Sequence, residues 1–212
     1  IVHWTESNPN NAAVVATIPD EDLSGTLDIE PGTFAALQDG NIPQNVAGVA
    51  RTGNTSLVTM PAASVDANGN IYLVYSAPRE RDLNIDQLNY RDVFVVVSTD
   101  GGATWSEPQN LTQAQGMEDA FPTVAKTADN FLHIVWQQDE IPGTNLQNNS
   151  ANLNNHPVVE NKILYAAVPV QEILNNSIGT GVGVSTENVS AELFVVGQNY
   201  PNPFPVSYTH LT

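Results

Sequence analysis

Seven acidic residues fall in three short stretches that could bring carboxylates together: Glu80, Asp82 and Asp86; Glu118 and Asp119; Asp139 and Glu140. Two carboxyl groups at a set separation can hydrolyse a glycosidic bond, one acting as acid and the other as nucleophile or base. Glu118, Asp119 and Glu80, with Arg79 beside the last, are the candidates for that chemistry. Arginine forks hold substrate carboxylates, and the chain has four arginines: Arg51, Arg79, Arg81 and Arg91. Three of them crowd between positions 79 and 91, so they cannot surround a ligand from several directions. The plain alternative is that these acids are solvated loop residues. Asp82-Leu83-Asn84-Ile85-Asp86 has the opening spacing of a calcium loop, D-x-N-x-D. Gln87 stands where glycine is expected and no glutamate occupies the twelfth position. No cofactor is expected beyond that partial calcium match. His3, His133, His156 and His210 form no ligand spacing, and His133, inside an apolar run, reads as a packed core residue.

The composition limits the classes of partner. Six basic residues face 23 acidic ones, a formal charge of −17. Such a surface repels phosphate backbones, which excludes nucleic acid as a partner. It attracts cations, and such acidity keeps a protein soluble in salt water. The absence of cysteine rules out disulfides and thiolate metal sites. No apolar run approaches the ~20 residues of a membrane-spanning helix. There is no signal peptide and no initiator Met, and Ile1-Val2-His3-Trp4 reads as the middle of a strand, so the chain is expected to be a fragment.

The elements that must position the acids follow from an internal repeat. Residues 61–75, PAASVDANGNIYLVY, align without a gap on residues 122–136, PTVAKTADNFLHIVW. Each copy reads as strand, two-residue turn, strand, with Asn68-Gly69 and Asp129-Asn130 at the turns, where positive φ is tolerated. The second strand of each copy is almost continuously apolar, as in a sheet covered on both faces. A third strand follows at 92–97 and at 162–167, and a fourth at 107–111 in the first copy only. An earlier unit is expected to place its second strand at 1–4 and its third at 45–51. Three loops, about 5–44, 76–91 and 137–161, are expected to open on one end of the sheets and to carry function. Four antiparallel strands per unit, stacked face to face, is the pattern of a propeller blade; a β-sandwich is the alternative. The expected fold is all-β: a partial β-propeller of two to three four-stranded antiparallel blades over 1–174, a linker over 175–192, and the start of a β-sandwich domain over 193–212.

Between the third and fourth strands of the first copy stand Ser98, Asp100, Gly102 and Trp105, spaced S-x-D-x-G-x-x-W. An Asp side chain can accept backbone N–H bonds inside a tight loop. Glycine supplies a backbone shape closed to other residues, and Trp seals the hairpin with apolar surface. This blade resembles those of sialidases and the wider group of Asp-box (BNR-repeat) propellers. The resemblance implies that Asp100 and Trp105 are fold residues on the end opposite an active site. It also implies an arginine clamp for a sialidase, and no Arg-Ile-Pro sequence is present here to supply its start.

Gln198-Asn199-Tyr200-Pro201-Asn202-Pro203-Phe204, preceded by the apolar run 193–196 and a Gly/Ser/Thr/Asn-rich stretch, resembles the opening of type IX secretion sorting domains of Bacteroidetes and their relatives. The family continues with further strands, whereas residues 205–212 depart from it and read as a foreign tail. The resemblance implies export to the outside or outer surface of a Gram-negative bacterium, with the type IX machinery as a partner. The expected function is a non-catalytic module that binds carbohydrate or a cell-surface protein. Tyr90, with Gln87, Asn89, Gln147 and Asn148, is the candidate set for stacking on and hydrogen-bonding a sugar. The alternative is the C-terminal part of a sialidase-like glycoside hydrolase.

Overall fold

The computed structural model describes residues 1–3, 12–29, 58–143 and 159–178. Its strands are β1 (Val2–His3), β2 (Ala13–Val14), β3 (Thr59–Val65), β4 (Ile71–Leu83), β5 (Asn89–Ser98), β6 (Gln109–Asn110), β7 (Glu118–Val124), β8 (Phe131–Asp139) and β9 (Lys162–Pro169). A single short helix among the described residues, α1 (Val170–Leu174), follows β9 directly. The strands form three antiparallel sheets, β1-β2, β3-β4-β5-β6 and β7-β8-β9, and none of them closes on itself. The described chain is all-β in character, and no helix in it is long and apolar enough to cross a membrane.

The sheets stack in layers. Tyr72, Val74, Val93, Val95 and Val97 of the four-stranded sheet pack against Leu132, Ile134, Trp136, Leu164, Ala166 and Val168 of the three-stranded one. The opposite face of the four-stranded sheet, with Tyr75, Ala77, Phe94 and Val96, is covered by Val15 and Ala16. Strand alternation sends successive side chains to opposite faces, so a sheet covered twice must be apolar at nearly every position. That is why β5 is buried along its whole length.

The repeat is structural as well as sequential. Tyr72 pairs with Val97, Val74 with Val95 and Ser76 with Val93; His133 pairs with Ala167, Val135 with Tyr165 and Gln137 with Ile163 in the corresponding register. Both first strands carry a bulge at the same place, between Thr59 and Ala62 and between Ala120 and Thr123. The bulge residues Met60 (φ 56°) and Phe121 (φ 54°) share the left-handed conformation, each just before a proline.

Several expectations are corrected. The turn of the first hairpin is a five-residue loop, 66–70, because Val65 pairs with Ile71. Asp66 closes it by accepting the Asn68 and Asn70 N–H groups at 2.8 and 3.0 Å, the Asn70 amide and the Tyr72 hydroxyl. The second hairpin also turns over more than two residues, since β7 ends at Val124 and β8 starts at Phe131. β1 pairs with Ala13–Val14, which had been expected to lie in a loop; residues 45–51 lie outside the described residues. The expected loop 76–91 is mostly strand, because β4 continues to Leu83 and β5 starts at Asn89. His133 is not a core residue: it sits on the outer face of its sheet with Nδ1 2.7 Å from the Tyr165 hydroxyl. The fourth strand of the first unit shrinks to Gln109–Asn110. In the second unit, for which no fourth strand is expected, β9 runs to Pro169 and α1 follows it with Val170 and Ile173 buried. The linker beyond Ile178 and everything from 193 to 212 lie outside the described residues.

Candidate functional site

The extended β4–β5 hairpin changes the setting of the acids. Its tip is held by Asn84, whose side-chain oxygen accepts the Asp86 and Leu88 N–H groups, both at 2.9 Å. Arg81 (φ 59°) and Gln87 (φ 61°) take left-handed conformations in the bulged arm and the tip. On this hairpin Glu80 and Asp82 are buried instead of solvated. Asp92 is the fourth residue of β5, Glu118 and Asp119 open β7, and Asp139 ends β8. Antiparallel pairing brings all six to one end of the two sheets, and all six are buried.

Each of these carboxylates has an internal partner. Glu80 accepts the Glu21 and Asp28 N–H groups at 2.9 and 2.8 Å, tying residues 20–28 to β4. Asp82 accepts the Gly116 N–H with both oxygens, at 3.1 and 3.0 Å. Asp92 accepts the Asn110 amide at 2.5 Å. Glu118 accepts the Arg91 N–H at 2.8 Å. Asp119 accepts the Trp136 indole N–H at 2.7 Å and the Gln138 amide at 2.9 Å. The Asp119 carbonyl oxygen accepts the Ser76 hydroxyl at 2.9 Å, which links the two sheets. Asp139 accepts the Ile141 N–H at 2.8 Å.

Burial disfavours the charged forms. It pushes the Asp92 carboxyl up to about 7 against the opposing effects of Asn110 and Arg79. Glu118 is pushed up to about 7 by burial, with Arg91 opposing. Asp119 rises to about 6 for the same reason, against hydrogen bonds from Gln138, Thr112 and Trp136. Burial also lowers the Arg91 guanidinium, which stays charged because its intrinsic pKa lies far above neutrality.

The three described arginines are engaged by the chain itself. Arg91, 2% exposed, has Nε 3.5 Å from Glu118 Oε1. Arg79 reaches Asp92 at 3.5 Å, Glu21 at 3.6 Å and Asp82 at 3.8 Å. Arg81 pairs with Asp22, with Asp28 at 3.6 Å and with Glu80 at 3.8 Å. Arg51 lies outside the described residues.

The calcium-like stretch does not converge. Asp82 points to Gly116, Asn84 shapes the hairpin tip, and Asp86 is exposed. The carboxylates that do converge are Asp20, Asp22 and Glu80, whose oxygens lie within 4.8 Å of one another. Asp20-x-Asp22-x-Ser24-Gly25 carried the spacing signal that sequence reading missed; Asp20 accepts the Ser24 and Gly25 N–H groups at 3.1 and 2.7 Å. Glu80 joins from β4, a contact with no local signature. Here the Arg81 guanidinium supplies positive charge at Asp22.

The sugar-facing set divides as well. Tyr90 and Asn89 are buried; the Tyr90 hydroxyl donates to the Glu140 carbonyl at 3.1 Å and the Asn89 amide to the Arg79 carbonyl at 2.7 Å. Their burial in the extended hairpin removes them from a ligand's reach. Gln87 is exposed at the hairpin tip. Gln147 and Asn148 lie outside the described residues, as does the whole 198–204 stretch. At the same end a cleft of about 190 Å³ is lined by Met117, Gln138, Asp139, Glu140, Glu160 and Lys162, with Val159.

The opposite end carries the turn 98–105. Asp100 Oδ1 accepts the Ser98 hydroxyl at 2.8 Å and the Ala103 and Thr104 N–H groups at 3.0 and 2.9 Å, and Oδ2 accepts the Thr104 hydroxyl at 2.6 Å. Hydrogen bonds from Thr104 and Ser98 hold its carboxyl down at about 2. Ser98 Oγ in turn accepts the Gly102 N–H at 2.8 Å. The Trp105 indole donates to the Gly102 carbonyl at 3.2 Å, and its ring packs against the cluster of Val15, Ala16, Tyr75, Phe94 and Val96 and lies edge-on to the His3 ring.

A comparison with protein-family models found no match, and a comparison with curated proteins found none either.

Proposed function

We propose that the chain is part of an Asp-box β-propeller, exported by type IX secretion to the outside or outer surface of a Gram-negative bacterium. In this reading residues 1–174 belong to the propeller, 175–192 form a linker and 193–212 begin the sorting domain. It serves there as a non-catalytic module that binds carbohydrate or a cell-surface protein. The repeated sheets, stacked face to face with matching register and matching bulges, support the propeller. The single observation that carries the non-catalytic reading is the occupation of Arg79, Arg81 and Arg91 by carboxylates of the chain itself. Arg79 and Arg91 cannot also clamp a substrate carboxylate without leaving the buried Asp92 and Glu118 unpaired. The ligand end then offers the cleft beside Glu140, Glu160 and Lys162 and the exposed Gln87. A neutral polysaccharide, or a ligand bridged by cations, suits its acidic balance.

A second reading has one observation in its favour. Asp92, Glu118 and Asp119 have carboxyls raised to about 6 or 7, the range in which a general acid works. That would fit the C-terminal part of a sialidase-like hydrolase, but all three are fully buried. The two readings separate in one assay. The purified chain is expected to be retarded in a gel containing neutral polysaccharide and to leave a fluorogenic sialoside intact. Sialoside turnover that Arg79→Ala abolishes would favour the hydrolase. Deleting the complete sorting domain from the parent protein in its native host is expected to trap the propeller in the periplasm, and unchanged surface display would exclude the sorting role.

A further inference from the structure

The loop 66–70 is closed by bonds that all have Asp66 at one end. Its Oδ1 accepts the Asn68 and Asn70 N–H groups, its carbonyl accepts the Gly69 N–H at 3.1 Å, and its own N–H donates to the Asn70 carbonyl at 3.1 Å. The side chain of Asn68 takes no part in this closure. It is exposed and makes no hydrogen bond among the described residues. Gly69 follows it at φ +82°, and a Cβ placed there would meet nothing within 4 Å. This is the one Asn-Gly pair in the sequence. Asn70, Asn84, Asn89 and Asn110 differ on both counts. Ile, Ile, Tyr and Leu follow them, and each has its side chain hydrogen-bonded.

Asparagine is a chemically labile side chain, and a following glycine exposes it to attack from the backbone. With no Cβ in its path, the Gly69 nitrogen can reach the Asn68 side-chain carbonyl carbon. The attack forms a nitrogen–carbon bond, expels ammonia and closes a cyclic imide. Water then opens the imide at either carbonyl and leaves an aspartyl or an isoaspartyl residue. The sum is amide plus water giving carboxylic acid plus ammonia. The attacking nitrogen must first give up its proton and its bond to the Asp66 carbonyl, so the closed loop withholds it and local opening releases it.

We propose that Asn68 is a site of spontaneous deamidation whose rate Asp66 sets, and that the product loosens the seam between the two larger sheets. That seam starts at the residue before the loop. The Val65 N–H donates to the Lys126 carbonyl at 3.3 Å, and the Val65 carbonyl accepts the Ala128 N–H at 3.1 Å. A new carboxylate at position 68 shares the small loop with that of Asp66, and the isoaspartyl form also lengthens the backbone inside it. Asp100-Gly101, in the other turn at this end, is protected from the parallel reaction. Its carboxyl would have to be protonated to lose water, and hydrogen bonds from Thr104 and Ser98 hold it ionised, with a pKa of about 2. The inference rests on this loop alone and holds under either reading of the function.

The whole chain, held in mildly alkaline buffer at body temperature, tests it by peptide mass mapping and by methyl transfer from an isoaspartyl methyltransferase. The peptide holding residues 66–70 should gain the mass of an amide-to-acid exchange and accept methyl groups. Peptides holding Asn89, Asn110 and Asp100 should stay unchanged. Asp66→Ala should speed the conversion roughly tenfold, the effect of one lost net hydrogen bond on loop opening. Where that variant fails to fold, Asp66→Asn, which keeps an acceptor oxygen but not its charge, takes its place. The converted chain, separated by its added charge, should melt below the unconverted one. An Asn68 amide that outlasts those of Asn89 and Asn110, a rate unchanged in the Asp66 variant, or equal melting of the two forms would overturn the proposal.

Discussion

The Trp136 indole donates to Asp119 Oδ1 at 2.7 Å, and this bond joins the last apolar side chain of β8 to a buried carboxylate near the start of β7. It sets Asp119 between its own sheet and Ser76 of the neighbouring one. Trp136→Phe keeps much of the ring but removes the donor; Asp119 Oδ1 keeps its bond from the Gln138 amide, so the loss is that of one hydrogen bond, about 0.5–1.5 kcal/mol. Denaturant unfolding of Trp136→Phe should show a loss in that range. Equal midpoints for wild type and variant would show that the bond contributes nothing net.

Stability should fall as pH rises from about 5 to 8. Asp92, Glu118 and Asp119 have folded carboxyls raised to about 7, 7 and 6 from ordinary values of 3.8, 4.5 and 3.8. A raised folded pKa means that the native state holds the proton more tightly than the unfolded chain. Its contribution is fully present below the ordinary carboxylate range and is lost as pH passes through the folded pKa. Thermal melts across this window should move downward, and Asp92→Asn, which removes one of the titrations, should flatten the slope. A melting temperature that rises between pH 5 and 8 would refute the assignment.

Gly102 should not tolerate a side chain. It sits at φ +92°, and an added Cβ would lie 2.4 Å from the His3 ring, whose Nδ1 is 3.0 Å from the Gly102 carbonyl oxygen. Gly102→Ala therefore meets both backbone strain and a clash, with a cost of roughly 2–3 kcal/mol. His3→Ala in the same chain should recover only part of the loss, since the φ strain remains. Full recovery in the double variant would assign the whole effect to the ring.

The turn at 98–105 should act on stability and not on binding. Asp100→Ala leaves two backbone N–H groups and two hydroxyls of one loop without their acceptor, so its melting temperature should drop. Trp105→Ala removes a partly buried ring and should cost roughly 2 kcal/mol, less than a fully buried Trp. Polysaccharide retention measured below both melting points should match wild type, because the turn lies at the end away from the cleft.

The hairpin repeat, the third strands and the 98–105 turn were legible in the residues alone. Each depends on groups close in sequence: Asp100 bonds within four residues of itself, and apolar runs announce strands covered on both faces. The acidic site was not legible, because charge reads as solvent exposure until a partner is known. Glu80 meets backbone groups of Glu21 and Asp28, Arg91 meets Glu118, and Asp119 meets Ser76 and Trp136, all through contacts that folding alone creates. Local hydrogen bonding and strand period are properties of a short segment and survive in isolation. Burial of a carboxylate is a property of the stacked sheets, so only the tertiary structure could turn an apparent loop of solvated acids into a paired, desolvated cluster.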